Sequence, residues 1–557
     1  MNTTCRSALS TLLAFASAAS SSEAQDVNVD DRARRVDSAF AEWNKAGSPG
    51  LALAVVRDGR VLLERGYGLA SVEHNVRITS ATAFDVASVS KQFAGLAIAM
   101  LVDQGRIKLD DDIRKYLPEM RDIGQTITID HLVHHTSGLR DWPGALAIAG
   151  WRMDDVIAFD QILRMAYNQR TLNFAPGAEH TYSNTGYNLL AEIVARVSGK
   201  SFRAWTNENL FRPLDMTSSH FHDDVAMVIP NRAYGYARSD SGWRALTDNL
   251  TALGSSSLYS TASDMAKWLA NFDDPKVGGQ RAMQLMRTMG RLNSGSQVAY
   301  AFGISHGIHR GQGTLSHSGS WAGFVSYVVN YPQKRFGVVV LANTGAVPVQ
   351  QAANTIANIY MGSELAPEPG PVTMAGQPDI DVARETLDRY TGIYRLGPGW
   401  YVRIRRDGGT LKTQATREAE FPLSPRTEST FWVAAYNSSM TFQRDTAGVT
   451  SMLYRAMRAP RMGAEYPPRR GSAADLAGEY VSDELQTSYR VDVKDTTLTL
   501  RHRRHGDIVL TRAYADDYAG AMWFVPSVEF ERDGGGRVTA IVINNGARVR
   551  NVRFVKR

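Results

Sequence analysis

Apolar and polar residues follow two different patterns along this chain, and the change between them lies near residue 370. Before that point, long segments repeat their apolar positions every three to four residues, as amphipathic helices do, and short apolar runs separate them. After that point the segments are short and alternate residue by residue, which is typical of strands. The pattern predicts an α/β unit that is followed by a region of β-structure.

Two hairpins are predicted at the two ends of the first part. Asp58 and Gly59 separate the apolar runs 51–56 and 61–63, and glycine accepts the positive φ that a two-residue turn needs. Runs 324–331 and 336–341 flank a second turn at 332–335. With helices over 29–45 and 349–360, this order predicts a sheet whose ends come together, with a helical region between the hairpins.

A proline-rich segment over 363–378 is the predicted linker, and an internal repeat follows it. Gly392 and Tyr394 recur 86 residues later as Gly478 and Tyr480, and the segment 442–445 recurs 88 residues later as 530–533. Two sequence segments that recur after nearly the same number of residues indicate a duplicated unit. We therefore expect domains over 30–362, 379–470 and 471–557, the last two being small antiparallel, lipocalin-like β-barrels.

Composition narrows the class of protein. Of the 557 residues, 43% are apolar and 21% are charged, which argues against a disordered, collagen-like or coiled-coil chain. The formal charge of +6 is mild for this length, and the most basic segment, 501–505, is interpreted as a solvated strand edge. Nucleic acid is therefore not an expected partner.

The first 24 residues resemble a signal peptide. Arg6 precedes a short apolar stretch over 8–19, and small residues stand at 22 and 24, where a signal peptidase would cleave. Cys5 is the only cysteine, so the cleaved protein would contain no disulfide, cysteine nucleophile or cysteine-bound metal. No later apolar stretch reaches the roughly 18 residues that span a bilayer, so we expect a periplasmic or secreted protein without an integral membrane segment.

Ser88 and Lys91 form the first chemical motif. The apolar stretch after them ends at Gly105 and predicts a buried helix that starts near Ser88, so the two side chains share one helix face. A serine hydroxyl needs a base to become a nucleophile, and an amine desolvated by an apolar helix can act as one. Taken alone, the spacing also fits a serine that caps a helix and an exposed lysine.

Tyr182 and Asn184 form the second motif, in a loop that leads into a helix. A phenol near an amine can relay a proton, and an asparagine amide can bind a substrate carbonyl. His317, Gly319 and Ser320 form the third motif, which is predicted to begin a strand that continues to Phe324. The N–H groups of Ser88 and Ser320 can together form an oxyanion hole. Each motif alone also fits an ordinary loop or turn.

Together, the order and spacing of the three motifs resemble those of the serine β-lactamases, DD-peptidases and their relatives, S-x-x-K, Y-x-N and then K-T-G or H-x-G. The likeness covers residues 35 to about 360. Within the family, the sequence is similar to the branch that contains class C β-lactamases and D-aminopeptidases. Further segments that resemble this branch are 84–88, 127–132, 135–139, 213–216 and 260–264. The resemblance implies a β-lactamase-like α/β domain, with an antiparallel sheet, helices on both of its sides and a helical subdomain. It also implies acyl transfer through Ser88, with Lys91 or Tyr182 as the base, and no cofactor.

His317 stands where β-lactamases usually have lysine, and a neutral imidazole attracts a substrate carboxylate less than an ammonium does. H-x-G is typical of relatives that act on peptides. We therefore favour cleavage of peptide or amide bonds, including D- or non-protein residues and linearised cyclic peptides such as microcystins. A carboxylesterase, a β-lactamase or DD-peptidase, and a receptor that is acylated without turnover are the alternatives.

Two further features of the sequence bear on the site. His134 and His135 are adjacent but have no third ligand at a helpful spacing, so no metal is expected, and the resemblance gives His135 a structural part. The β-structured tail resembles the two barrel domains of D-aminopeptidases, in which a loop of the tail can reach the mouth of the active site and limit substrate size.

Overall fold

The structure is a computed structural model that describes residues 31–368, 374–446, 448–454 and 457–557. The signal peptide predicted over 1–24 lies outside the described residues, as do residues 369–373 of the predicted linker. The chain forms two units, each assembled from separate stretches. The first unit contains residues 31–108, 190–290 and 297–368, and the second contains 109–189, 291–296 and 374 onwards.

An antiparallel sheet is the centre of the first unit. Its six described strands, in spatial order, are Ser305–His309, Gln312–Trp321, Phe324–Tyr331, Phe336–Ala342, Leu51–Arg57 and Arg60–Tyr67. The first and last segments of the unit therefore meet in the middle of the sheet, where residue 51 pairs with residue 342. Both hairpins predicted from the sequence are confirmed, and Asp58 and Gly59 have the positive φ of the predicted turn.

Apolar side chains cover both faces of this sheet, which explains why its strands read as continuous apolar runs. Leu51, Leu53 and Val55 point to one face, where they join a core with the helix over 31–40 and the helix Val349–Met361. The helix Ala262–Asp273 packs against the two central strands, Phe336–Ala342 and Leu51–Arg57. Since successive side chains of a strand alternate between faces, one apolar strand contributes side chains to the packing on both faces of the sheet.

The remaining elements of the first unit surround this sheet. Its other helices are the nucleophile helix Ser90–Asp103, Phe202–Thr206, the π-helical turn Asn207–Phe211, Gly279–Met286 and the end of Asn184–Ser198. Its short strands include Leu69–Ser71, Val76–Arg77, Phe84–Asp85, His220–Phe221, Gly235–Ser239, Gly242–Leu246 and Leu258–Ser260. None of the helices in the described ranges combines the length and the apolar character needed to cross a bilayer.

The second unit joins a helical segment to two barrels. Its helices are Ile129–Val133, Trp142–Ile148, Phe159–Tyr167 and the start of Asn184–Ser198. The first barrel is closed by the strands Gly392–Gly397, Trp400–Asp407, Thr410–Ala415, Glu420–Pro425, Thr430–Val433, Ser438–Asp445, Gly448–Tyr454 and Met457–Gly463. The second barrel is closed by Gly478–Ser482, Thr487–Lys494, Thr497–Arg501, Ile508–Tyr514, Asp517–Gly520, Ser527–Arg532, Val538–Asn545 and Val549–Lys556.

The contacts inside the barrels confirm the predicted duplication. The phenol of Tyr394 donates a hydrogen bond to the carbonyl of Tyr390, and that of Tyr480 donates to the carbonyl of Leu476, both over 2.8 Å. The ring of Tyr394 packs on Phe442 in the first barrel, as Tyr480 packs on Phe530 in the second. The repeated landmarks of the sequence therefore occupy equivalent places in two closed antiparallel barrels.

Arg140 fastens the helical segment of the second unit to the second barrel. Its side chain is completely buried, and its guanidinium binds the Glu484 carboxylate over 2.6 Å. It also donates to the backbone carbonyls of Thr171, Arg550 and Asn551. Since a buried charge needs both an opposite charge and hydrogen-bond acceptors, this set satisfies the guanidinium.

We expect Arg140→Ala to lower the free energy of unfolding of the second unit by about 3–5 kcal/mol, because Glu484 would keep a buried charge without its partner. Arg553 pairs with Glu531 on the surface of the same barrel, with both side chains more than 40% exposed. Arg553→Ala is the matched control and should cost less than about 1 kcal/mol. Urea unfolding followed by circular dichroism compares the two, and equal losses would contradict the role given to Arg140.

Candidate active site

Ser88 lies in a strained turn at the start of the nucleophile helix. The sequence predicts a helix that starts near Ser88, and the structure has a 3-10 turn over Ala87–Val89 that leads directly into Ser90–Asp103. Ala87 has a φ of +47°, which is unfavourable for a residue with a Cβ atom. Its N–H donates to the Asp85 carboxyl over 2.7 Å, and this bond holds the turn. The Ser88 side chain remains partly exposed.

Lys91 brings its amine to the hydroxyl of Ser88. The distance between Lys91 Nζ and Ser88 Oγ is 3.1 Å, and Nζ also donates to the carbonyl of Ser255 over 2.7 Å. Lys91 has no exposed surface. Two residues that are three apart in the sequence thus place an amine within hydrogen-bond distance of a hydroxyl, as a nucleophile and its base would need to be.

The third motif lies on the strand Gln312–Trp321, and here one sequence-based prediction is wrong. His317 was expected to begin a strand that continues to Phe324, but the strand begins five residues earlier and ends at Trp321. Ala322 and Gly323 then form a turn, both with positive φ, before the next strand starts at Phe324. An apolar residue and a glycine in the turn gave only a weak breaking signal in the sequence.

Gly319 allows this strand to approach the turn of the nucleophile. A Cβ atom at Gly319 would lie 2.3 Å from the carbonyl oxygen of Val86 and 3.0 Å from the backbone nitrogen of Ser88. Ser326 Oγ, which donates to that same carbonyl over 2.7 Å, would be 2.4 Å away. Only glycine fits this contact without a movement of the backbone. Ser320 is the next residue along the strand, and it is exposed.

His317 is buried in the same strand and is neutral. Burial, together with the charge of Lys91, lowers the pKa of His317 to about 3. Nδ1 lies 2.6 Å from the carbonyl of Ser318, which can only accept, so Nδ1 carries the proton. Nε2 therefore accepts the hydrogen bond from the Tyr300 hydroxyl, 2.9 Å away. The imidazole offers no positive charge to a ligand at neutral pH.

Tyr182 and Asn184 lie in the second unit, at the start of the helix Asn184–Ser198. The Tyr182 ring stands 4.3 Å from the ring of His135 and 4.9 Å from the guanidinium of Arg548. Asn184 donates to the two carboxylate oxygens of Asp141, from its backbone N–H over 2.7 Å and from its side-chain amide over 3.1 Å. These contacts fix the orientation of both side chains.

The contacts of His135 are structural. Its Nδ1 accepts a hydrogen bond from the backbone N–H of Ser183 over 3.2 Å, and its carbonyl accepts from Thr181 over 2.9 Å. Within the described residues no group of three or more His, Cys, Asp or Glu side chains could hold a metal ion. His135 thus supports the loop that carries the second motif.

The predicted site residues divide between the two units. The first unit contains Ser88, Lys91, His317, Gly319 and Ser320, and the second contains Tyr182 and Asn184. Four residues that contact the site residues were not predicted from the sequence: Ser255, Tyr300, Asp141 and Arg548. Ser255 acts through its carbonyl, which every residue has, so no sequence signal identifies it. Asp141 lies two residues after the segment 135–139, which could have drawn attention to it.

Comparison with known proteins places the chain in a family. The family model described as Beta-lactamase matches residues 33–360, which is more than half of the chain. The chain belongs to the beta-lactamase family. The resemblance that the three motifs indicated is thereby confirmed.

Two relatives show how far the likeness extends. The chain is 27% identical over 321 residues to the D-aminopeptidase of Gluconobacter oxydans (strain 621H), covering 58% of this chain and 60% of that one. It is 26% identical over 404 residues to penicillin-binding protein 4* of Bacillus subtilis (strain 168), covering 69% and 88%. The chain thus spans less than two thirds of the length of the D-aminopeptidase.

A solved structure extends the comparison to the fold. The octameric penicillin-binding protein homologue from Pyrococcus abyssi superposes with a TM-score of 0.56 at 21% identity, over 86% of this chain and 99% of that one. At this identity the likeness concerns the fold alone. It agrees with the predicted β-lactamase-like α/β domain followed by two barrels.

We expect Gly319→Ala to lower the free energy of unfolding by about 1–3 kcal/mol, because the new methyl group would clash with backbone atoms at Val86 and Ser88. Gly345→Ala is the control, since a Cβ atom there would meet nothing within 4 Å, and its effect should stay within about 0.5 kcal/mol. Thermal unfolding measures both variants. Equal unfolding temperatures for the two would show that the strand does not press on the turn.

We expect the His317 imidazole to stay neutral, with the proton on Nδ1, from pH 8 down to about pH 4. Because its pKa in the folded protein lies below the ordinary value of about 6.5, acid favours the unfolded state, and stability contributed by this residue falls as the pH drops from 6.5 towards 3. Nitrogen NMR of the labelled protein follows the ring, with His317→Asn to assign its signals. A titration midpoint between pH 5 and 7 would contradict this prediction.

Proposed function

We propose that this protein is a serine hydrolase that cleaves peptide or amide bonds in small peptides through an acyl-enzyme on Ser88. The observation that carries the proposal is the 3.1 Å contact between Ser88 Oγ and the buried amine of Lys91. A hydroxyl on a partly exposed turn, beside an amine shielded from water, is equipped to lose its proton and attack a carbonyl carbon.

In the proposed reaction, Lys91 as a neutral amine, or Tyr182 as a phenolate, accepts the Ser88 proton as Oγ bonds to the substrate carbonyl carbon. The N–H groups of Ser88 and Ser320 stabilise the resulting oxyanion. The C–N bond then breaks, the amine leaves with a proton returned through Tyr182, and an ester on Ser88 remains. Water attacks that ester with help from the same base, which frees the acid and restores the serine. Asn184 orients the substrate through its amide group.

The neutral His317 supports a peptide substrate over a β-lactam antibiotic. A β-lactam carries a carboxylate beside its reactive ring, and a lysine at this position would attract it. Since both nitrogens of the imidazole have partners and the pKa is about 3, the position supplies no such charge. The likeness to a protein named D-aminopeptidase supports a substrate that contains D-residues. Linearised cyclic peptides such as microcystins belong to the substrate class that we propose. The N-terminal sequence favours action in the periplasm or outside the cell.

We expect Ser88→Ala to keep the fold and to lose at least about a thousandfold in kcat, because the nucleophile is removed. The test panel contains a chromogenic cephalosporin, a short-chain nitrophenyl ester, and L- and D-aminoacyl anilides. The intact protein should turn over an anilide at least as well as the cephalosporin. Ser241→Ala, which alters an exposed serine on a surface hairpin, is the control and should leave turnover unchanged.

Three outcomes would contradict the proposal. Turnover that survives Ser88→Ala would remove Ser88 as the nucleophile. Hydrolysis of the ester or the cephalosporin without any anilide would favour a carboxylesterase or a β-lactamase. A stoichiometric burst without turnover would favour a receptor that is acylated.

A further inference from the structure

A loop of the second barrel carries an arginine to the second motif. The loop joins the strands Val538–Asn545 and Val549–Lys556 and places the Arg548 guanidinium 4.9 Å from the centre of the Tyr182 ring. The backbone carbonyl of Arg548 accepts hydrogen bonds from the N–H of Asp141 over 3.0 Å and from the Asn173 amide over 2.8 Å. The loop is therefore held firmly on the segment that precedes Tyr182, and all of these residues belong to the second unit.

Three arginines lie close to this segment, and they differ in how fully they are neutralised. Arg140 is completely buried and binds Glu484. Arg550 is 25% exposed and binds both carboxylate oxygens of Glu179, over 3.2 and 2.9 Å. Of the three, Arg548 is the most exposed, at 55%, and its ion pair is the longest.

The partner of Arg548 is itself occupied by other donors. Asp141 Oδ2 lies 3.5 Å from Arg548 Nη1, but it also accepts from the Asn184 side chain, and Oδ1 accepts from the Asn184 backbone. A single long contact uses one of the five N–H groups of a guanidinium. The cation–π contact with Tyr182 needs none of them. Arg548 thus keeps N–H groups for a ligand that approaches Tyr182 and Asn184.

We infer that Arg548 is a specificity residue that binds a carboxylate of the substrate. This inference rests on the proposed function, which assigns Tyr182 and Asn184 to the substrate. The planar guanidinium can donate two parallel hydrogen bonds to a carboxylate, and such charge-assisted pairs are stronger than neutral hydrogen bonds. The carboxylate comes either from an acidic side chain or from the C-terminus of the peptide. A substrate that presents an ammonium at the same place would be repelled.

The experiment measures binding separately from turnover. In the Ser88→Ala protein, dissociation constants are determined for two pairs of four-residue peptides. One pair differs only in Glu against Gln, and the other only in a free carboxylate against a carboxamide at the C-terminus. We expect the charged member of one pair to bind at least about tenfold more tightly than its neutral partner, and the pair that shows this identifies the source of the carboxylate.

The same measurements on variants at position 548 decide whether this arginine is responsible. Arg548→Gln should remove the preference and leave the affinity for the neutral peptide within about twofold, and Arg548→Lys should keep part of it as a point charge. Arg553→Gln, on the same barrel, should change neither value. Equal weakening of both members of a pair, a preference that survives Arg548→Gln, or no binding of any peptide would overturn the inference. Turnover of uncharged anilides by the intact protein tests the proposed function separately.

Discussion

The burial of the Lys91 amine is the constraint around which the first unit is arranged. An amine removed from water must find hydrogen-bond partners inside the protein, or its burial is costly. Lys91 finds them in Ser88 Oγ and in the carbonyl of Ser255. The segment after Ser255 continues into the strand Leu258–Ser260, which pairs with the strand Phe84–Asp85 that precedes the nucleophile. Both acceptors thus lie on segments that adjoin one local sheet, Ser88 after its first strand and Ser255 before the strand that pairs with it.

The turn at Ser88 stores strain that a buried carboxyl group supports. Ala87 keeps its positive φ because Asp85 accepts its N–H. Burial, with the charge of Asp248 as the second cause, raises the pKa of Asp85 well above its usual range. Asp248 accepts in turn from the Tyr259 hydroxyl over 2.5 Å. Strain of this kind persists only where several contacts hold the same conformation. The close approach of the strand at Gly319 to the backbone of Val86 and Ser88 is a further contact of this kind.

The two barrels of the second unit share an interior contact, and the second barrel also contacts the helical segment. Both barrels keep the same internal tyrosine contact, so their architecture follows from shared apolar landmarks. The second barrel also packs its core on Ala147 and Ile148 of the helical segment and extends the loop of Arg548 to Tyr182. Interior residues therefore determine the fold that the barrels share, and loop residues determine the surface that the second barrel presents.

How much the sequence could predict depends on the range over which each signal acts. The Ser88–Lys91 contact follows from helical spacing, and the paired apolar runs predict the central hairpins, because neighbouring positions decide both. The predicted bounds of the strand that carries the third motif were wrong, because Ala322 gives no signal in the sequence that a strand ends there. Arg548 was missed for a different reason. An exposed arginine between two strands looks like any surface residue until the barrel packs on the helical segment. Long-range packing thus decides which charged side chains lie near the candidate site, and the local sequence around each of them does not indicate this packing.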